Sequence, residues 1–185
     1  MYQDLKLFNI PPNFRGRNGI VVQLWWLVQA LLFHPSPQVL YGWRRFLLRL
    51  FGAKIGRNVI IRPSATITYP WKVTIKDYSW IGDNVTLYSL GEIKIGANSV
   101  ISQQTYLCAG THNYNSSAFD IYSPEITIED EVWIATDVFV APGVTIGVGA
   151  VVGARSSVFK TIEGGWVYGG NPLKKIKLRE TNYVV

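Results

Sequence analysis

The sequence predicts an all-β solenoid, a parallel β-helix of hexapeptide repeats, preceded by a helical N-terminal extension. Three observations carry this. Ile128, Ile134, Val140, Ile146, Val152 and Val158 are six aliphatic residues in unbroken phase, one every six positions. The runs Ile55-Gly56-Arg57-Asn58-Val59, Ile81-Gly82-Asp83-Asn84-Val85 and Ile95-Gly96-Ala97-Asn98-Ser99 repeat one local pattern. The period near 3.5 that packed helices require is absent after Ile55, and a short fixed repeat marks a β-solenoid instead.

The N-terminal region, residues 1–54, reads as helical. Ile20 to Phe33 is apolar without a breaker, and His34-Pro35-Ser36-Pro37 stops it because proline cannot continue the hydrogen-bond ladder. From Gln38 to Phe51, Val39, Leu40, Trp43, Phe46, Leu47 and Leu50 recur at helical spacing with Arg44, Arg45 and Arg49 largely between them, which predicts a helix with one apolar face. Such a segment fits a cap on the open end of a solenoid or a contact with a neighbouring subunit. Trp25, Trp26 and Trp43 with Arg15, Arg17 and the helix arginines also fit a belt that touches a membrane peripherally.

Residues 55–162 form the predicted β-helix. Each six-residue unit supplies a short strand and a turn, and three units complete a triangular coil whose aliphatics point inward. Gly and Asn at the corners tolerate positive φ. The runs beginning Ile55, Ile75 and Ile95 lie 20 apart rather than 18, placing two extra residues near Pro70-Trp71 and near Leu90-Gly91. Leu107 and Ile128 are 21 residues apart, read as one coil with three residues of slack. Residues 112–125 break the pattern and read as a loop from the third coil, where function tends to concentrate. Residues 163–185 form a closing segment and tail.

Composition narrows the class. The chain of 185 residues is 48% apolar, which excludes intrinsic disorder, and its net charge of +6 favours an anionic ligand or surface. Its one cysteine, Cys108, excludes an internal disulfide and fits a reducing compartment. The apolar stretch is shorter than the roughly 20 residues that span a bilayer, so the chain reads as cytoplasmic, with contact at the inner membrane face through the N-terminal helices as an option.

Ile55 to about Lys177 resembles the hexapeptide-repeat acyltransferases, and its C-terminal half is similar to the galactoside, maltose and xenobiotic O-acetyltransferases. The stretch from Arg44 to Gly56 is similar to the colanic acid (exopolysaccharide) acetyltransferases. The resemblance implies a left-handed coil, although parallel crossovers are right-handed in about 98% of cases. It also implies a homotrimer with active sites between subunits, acetyl-CoA as donor, a sugar or glycan hydroxyl as acceptor, no metal and no nucleic-acid partner.

Transfer to a hydroxyl needs a base and donors for the developing oxyanion. The chain has two histidines, His34 and His112. His34 sits at a helix end and reads as a cap or surface residue. His112 closes the unit Leu107-Cys108-Ala109-Gly110-Thr111-His112 where the loop departs; by position alone it could equally be a loop residue, and the resemblance implies that it is the catalytic base. Asp120 in the loop and Asp77 one coil earlier are candidates to orient His112 or meet the acceptor, and Asn84 is a candidate to hold an acceptor hydroxyl; all three also read as ordinary turn residues. Trp133, Ala135 and Ala154 align with the family's donor groove, and Lys174 and Lys177 stand where relatives tend to have arginine against the cofactor. Read on their residues alone, Trp133 is an exposed aromatic and the lysines are a solvated basic tail. Phe159 replaces a frequent threonine and removes a hydrogen bond at the adenine end.

Two histidines cannot assemble the three-histidine zinc site of a γ-class carbonic anhydrase. A sugar-nucleotide N-acyltransferase and a non-catalytic β-helix scaffold are the alternative functions.

Overall fold

An aliphatic side chain every six residues buries itself only if the chain turns by a third of a circle between one and the next. The computed structural model, which describes residues 2–180, shows that arrangement: a left-handed parallel β-helix of about six coils behind two short helices. Each coil lays one short strand on each of three flat faces. The first face stacks strands that start at Lys54, Val73, Ile93, Ile126 and Thr145; the third stacks those that start at Thr66, Thr86, Tyr106, Phe139 and Ser157. The second face runs through Ile60, Trp80, Val100, Trp133, Val151 and Trp166 and gains an antiparallel last strand, Lys174–Leu178. Ile128, Ile134, Val140, Ile146, Val152 and Val158 are all buried in one continuous core.

The corners are more demanding than glycine and asparagine alone suggest. Asn58, Tyr78, Asn98 and Glu131 adopt positive φ at the turn from first to second face, as do Asn84, Gln104, Asp137 and Arg155 at the next turn. Half of these are residues that resist this conformation, so the stacked strands on either side impose it. Two corners are sealed by carboxylates. Asp77 Oδ1 accepts the Arg57 N–H at 2.8 Å, and Asp130 Oδ1 accepts the Ala97 N–H at 2.8 Å. These backbone donors hold both carboxyls below the usual carboxylate range, helped by the Arg57 and Lys76 side chains.

The two extra residues in each early coil appear as a 3₁₀ turn at Pro70–Lys72 and a turn at Ser89–Leu90. The longer insertion differs from the reading of one coil and three residues. Leu107 stands on the third face of the third coil and Ile128 on the first face of the next, so their separation is a single corner plus fifteen inserted residues (21 less the usual six). Counting by eighteen hid the size of the insertion because both readings leave the same three-residue offset from the six-residue period.

Helix α1 (Gly19–Val28) continues as a π-turn over Gln29–Phe33, and helix α2 covers Tyr41–Leu50. Together they close the open end of the β-helix. The first coil has no strand before it, and the helices satisfy its free carbonyls: Trp25 Nε1 donates to Ile67 O at 2.8 Å, Arg44 Nε to Ile61 O at 2.7 Å, Arg45 to Val59 O at 2.8 Å and Arg49 to Ile55 O at 2.7 Å. Gln29 Oε1 accepts the Ile67 N–H at 2.8 Å. This end-capping reverses the expected orientation of α2. Arg44 is fully buried, whereas Val39, Trp43, Phe46 and Leu50 of the apolar stripe face outward; only Leu47 and Leu48 pack inward. Unpaired backbone oxygens attract guanidinium groups more strongly than the core attracts the remaining leucines and aromatics.

In the closing segment, residues 174–178 pair antiparallel with Trp166–Gly169 beyond the last coil and close that end. The residues from 181 to 185 of the predicted closing segment lie outside the described residues. No helix among the described residues is long and apolar enough to cross a membrane.

Candidate active site

The fifteen-residue insertion leaves the third face at Gly110 and returns at Ser123. Both exits depend on missing side chains. A Cβ on Gly110 would lie 2.8 Å from Leu90 Cδ1, and one on Gly91 would lie 2.4 Å from the carbonyl oxygen of Ser123. The loop begins and ends as a two-stranded hairpin, with Thr111 opposite Tyr122 and His112 opposite Ile121. Its tip is fastened by Asp120: the carbonyl accepts the Asn113 N–H at 2.8 Å and the carboxylate accepts the Ser116 hydroxyl at 2.6 Å.

His112 is half-buried in this hairpin. Its Nδ1 lies 2.8 Å from the carbonyl oxygen of Phe119. A carbonyl oxygen only accepts, so Nδ1 carries the hydrogen and neutral imidazole keeps its lone pair on Nε2. The ring stacks on Phe119 with centroids 4.2 Å apart and planes 9° from parallel, and Phe8 of the N-terminal segment packs at 5.9 Å. The N-terminal segment is itself tied to the loop, because the Asp4 N–H donates to Ser117 O at 2.7 Å. A base held in one tautomer and one orientation is the geometry general-base chemistry requires.

The group orienting His112 is therefore a backbone carbonyl, which sequence reasoning could not single out because every residue has one. Asp120 acts on the loop and not on the imidazole. Asp77 is not brought to His112 within the chain: it stands at the corner between first and second faces, with both oxygens engaged by Arg57. Asn84 is exposed at the next corner, where its N–H donates to Ser64 Oγ at 3.0 Å and its side chain is left to solvent. Phe8 and Phe119 were also missed, since contact between a distant N-terminal phenylalanine and the loop leaves no periodic signal. His34, the other histidine, is spent on Pro63 O at 2.7 Å.

The candidate donor residues fall on the second face and beyond it. Trp133 is half-exposed and donates from Nε1 to Ser102 Oγ at 3.0 Å. Ala135 and Ala154 lie at the edge toward the third face, Ala154 exposed, with Gly153 between them in sequence. Beyond the last coil a cleft of about 560 Å³ opens between Ser157, Phe159, Lys160 and the tail at Pro172 and Leu173. Lys175 lines that cleft; its neighbour Lys174 is exposed on the same strand with no acidic partner among the described residues. Lys177 has Glu180 at 3.9 Å, and the intervening Lys175 is held by Glu163 and lies 3.7 Å above the Trp166 ring. Arg179, which drew no attention in the sequence, ties the tail to Glu131 O and Gly149 O at 2.7 and 3.0 Å. Burial pushes the Cys108 thiol above its ordinary range, which keeps it protonated and disfavours a covalent relay through sulfur. Among the described residues no group of three metal-binding side chains occurs.

No family model matches the chain. A curated relative from Escherichia coli K12, named "Putative colanic acid biosynthesis acetyltransferase WcaF", is 63% identical over 177 residues, covering 96% of this chain and 97% of that protein. A maltose O-acetyltransferase from Clostridium difficile 630 superposes with a TM-score of 0.80 at 23% identity, covering 89% of this chain and 90% of its own. A hexapeptide-repeat acetyltransferase from Vibrio cholerae O1 biovar eltor, solved with acetyl coenzyme A, superposes with a TM-score of 0.77 at 25% identity, covering 87% and 88%. The fold and these relatives define a hexapeptide-repeat acetyltransferase. Within that class, the chain belongs to the family of the colanic acid biosynthesis acetyltransferases.

Proposed function

We propose that the chain moves an acetyl group from acetyl-CoA to a sugar hydroxyl during exopolysaccharide synthesis, with His112 as general base. The observation that carries this is the bond from His112 Nδ1 to Phe119 O, which leaves Nε2 free to take a proton. As the hydroxyl oxygen attacks the thioester carbonyl, its proton passes to Nε2. When the carbon–sulfur bond breaks, the imidazolium returns that proton to the departing thiolate, so charge and protons balance.

The donor fits what the chain offers. His112 belongs to the third coil, and the cleft and Lys174 lie near the end of the solenoid. At about 4.8 Å per coil the two are separated by roughly 14 Å along the axis. An extended pantetheine arm can cover that distance along an edge of small residues such as Ala135 and Ala154, beside Trp133, with the phosphates toward Lys174 and Lys177. Asn84 is the acceptor-side candidate. The reading includes a trimer with sites between neighbours. It is supported by the second face, whose outward row of Ile60, Trp80, Val100, Trp133, Val151 and Val167 is entirely apolar, whereas the first face presents Lys54, Thr74, Lys94, Thr127 and Thr145.

The test is His112→Ala. The kcat for acetyl-CoA-dependent acetylation of a glycan acceptor should drop by about 10²-fold or more. The KM for acetyl-CoA and the melting temperature should stay at wild-type values, and His34→Ala should remain active. Full activity in His112→Ala refutes the mechanism.

A further inference from the structure

We propose that the two N-terminal helices form a docking surface for an anionic lipid membrane, lying in the interface without crossing it. The first observation is that α1 and its π-turn are apolar on both sides. Residues 19–33 contain no charged side chain. Val22, Trp25, Gln29 and Phe33 make the buried stripe, while Ile20, Leu24, Leu27 and Leu31 make a second stripe that faces outward at the same helical spacing. A helix with apolar residues all round belongs in a core or a membrane, not against water.

The second observation is the inversion of α2. Its arginines are drawn inward to the carbonyls of the first coil, and Val39, Trp43, Phe46 and Leu50 are left outside at a spacing of three and four. Trp43 Nε1 donates to Leu32 O at 2.9 Å, so the outward stripes of the two helices join into one surface. Isolated exposed apolar residues are ordinary, but a continuous eight-residue surface of this kind marks an interaction site.

Charge selects the occupant. Of the eleven Lys and Arg residues between Asp4 and Asp77, three pair with carboxylates and four donate to backbone carbonyls, which leaves Lys6, Arg15, Arg17 and Lys54 for an outside partner. Arg15 and Arg17 are exposed immediately before α1, and a Cβ on Gly52, just past α2, would lie 3.7 Å from Arg17 Nη2. The start of α1 and the end of α2 therefore meet, with Arg15, Arg17 and Lys54 near that point. Cationic groups beside an apolar helical surface with tryptophan suit anionic headgroups above an acyl boundary.

This inference names a partner for the enzyme proposed above, but its test reads binding and not turnover. The purified chain is sedimented with vesicles of phosphatidylglycerol and phosphatidylcholine, and separately with phosphatidylcholine alone. The chain should pellet with the anionic vesicles, with at least about tenfold weaker partition to the neutral ones and a decline as salt rises. The outward triple variant Leu27→Gln/Leu31→Gln/Phe46→Gln should lower partition by at least about tenfold, with melting temperature and light-scattering mass unchanged. Arg15→Gln/Arg17→Gln should weaken anionic binding and flatten its salt dependence. The proposal is overturned if the wild-type chain stays in the supernatant with anionic vesicles, if the triple variant still pellets, or if the triple variant loses oligomeric mass. The last outcome would assign the surface to a second copy of the chain. None of these outcomes bears on acetyl transfer.

Discussion

Gly91→Ala should impair catalysis from a position outside the loop. In the structure an alanine Cβ there would stand 2.4 Å from Ser123 O and 2.9 Å from Pro124 O. A carbon and a carbonyl oxygen settle at about 3.3 Å or more, so the returning strand must retreat by about 1 Å. That strand continues directly from the hairpin that holds His112 opposite Ile121. A displacement of about 1 Å at a reacting group can lower the rate by about 10²-fold, which sets the expected loss in kcat/KM between about 10-fold and 100-fold. Overpacking costs about 1–3 kcal/mol, and for a chain of this size each kcal/mol lowers Tm by about 2–4 °C. A fall of about 2–12 °C should therefore accompany the loss, measured by calorimetry beside a thiol assay for released coenzyme A. Gly19→Ala is the control, because its Cβ meets nothing within 4 Å. Wild-type activity and Tm in Gly91→Ala would show that the loop does not rest on this glycine and that its seat does not position His112.

Replacing Lys174 and Lys177 together with alanine should raise the KM for acetyl-CoA severalfold with little change in kcat, the pattern of lost uniform binding. Because Lys177 has Glu180 nearby, Lys174→Ala alone should carry most of the effect; a collapse of kcat at unchanged KM contradicts phosphate binding. Asp77 and Asp130 have carboxyls held below the ordinary range, so the stability they contribute is present above the unfolded value near 3.9 and is lost as pH falls through the lower folded values. Melting curves should show Tm dropping below about pH 4, and Asp77→Asn/Asp130→Asn should reduce Tm at pH 7 and flatten that acid dependence; an unchanged profile removes the corners from the account. Light scattering at micromolar concentration should give a trimer mass, and a fully active monomer would contradict a site shared between subunits.

The solenoid was legible in the residues alone. Inward aliphatics must recur every six residues for the coils to stack, so the period is written in the chain and resumes after each of the three insertions. The sequence also showed that the loop after Leu107 interrupts one coil, and its resemblance to a known family singled out His112. What the sequence could not fix was anything that depends on which backbone groups are left unpaired. The capping helices turn arginine inward because the first coil has free carbonyls, and no hydropathy pattern registers an edge that exists only after stacking. For the same reason the partner of His112 is the Phe119 carbonyl rather than a carboxylate, and Asp77, close in coil number, is bound at a different corner. A period specifies which side chains face the core; it says nothing of which face or corner a residue shares with another twenty positions away. Register and edges are properties of the assembled coils and come into being only when the coils stack.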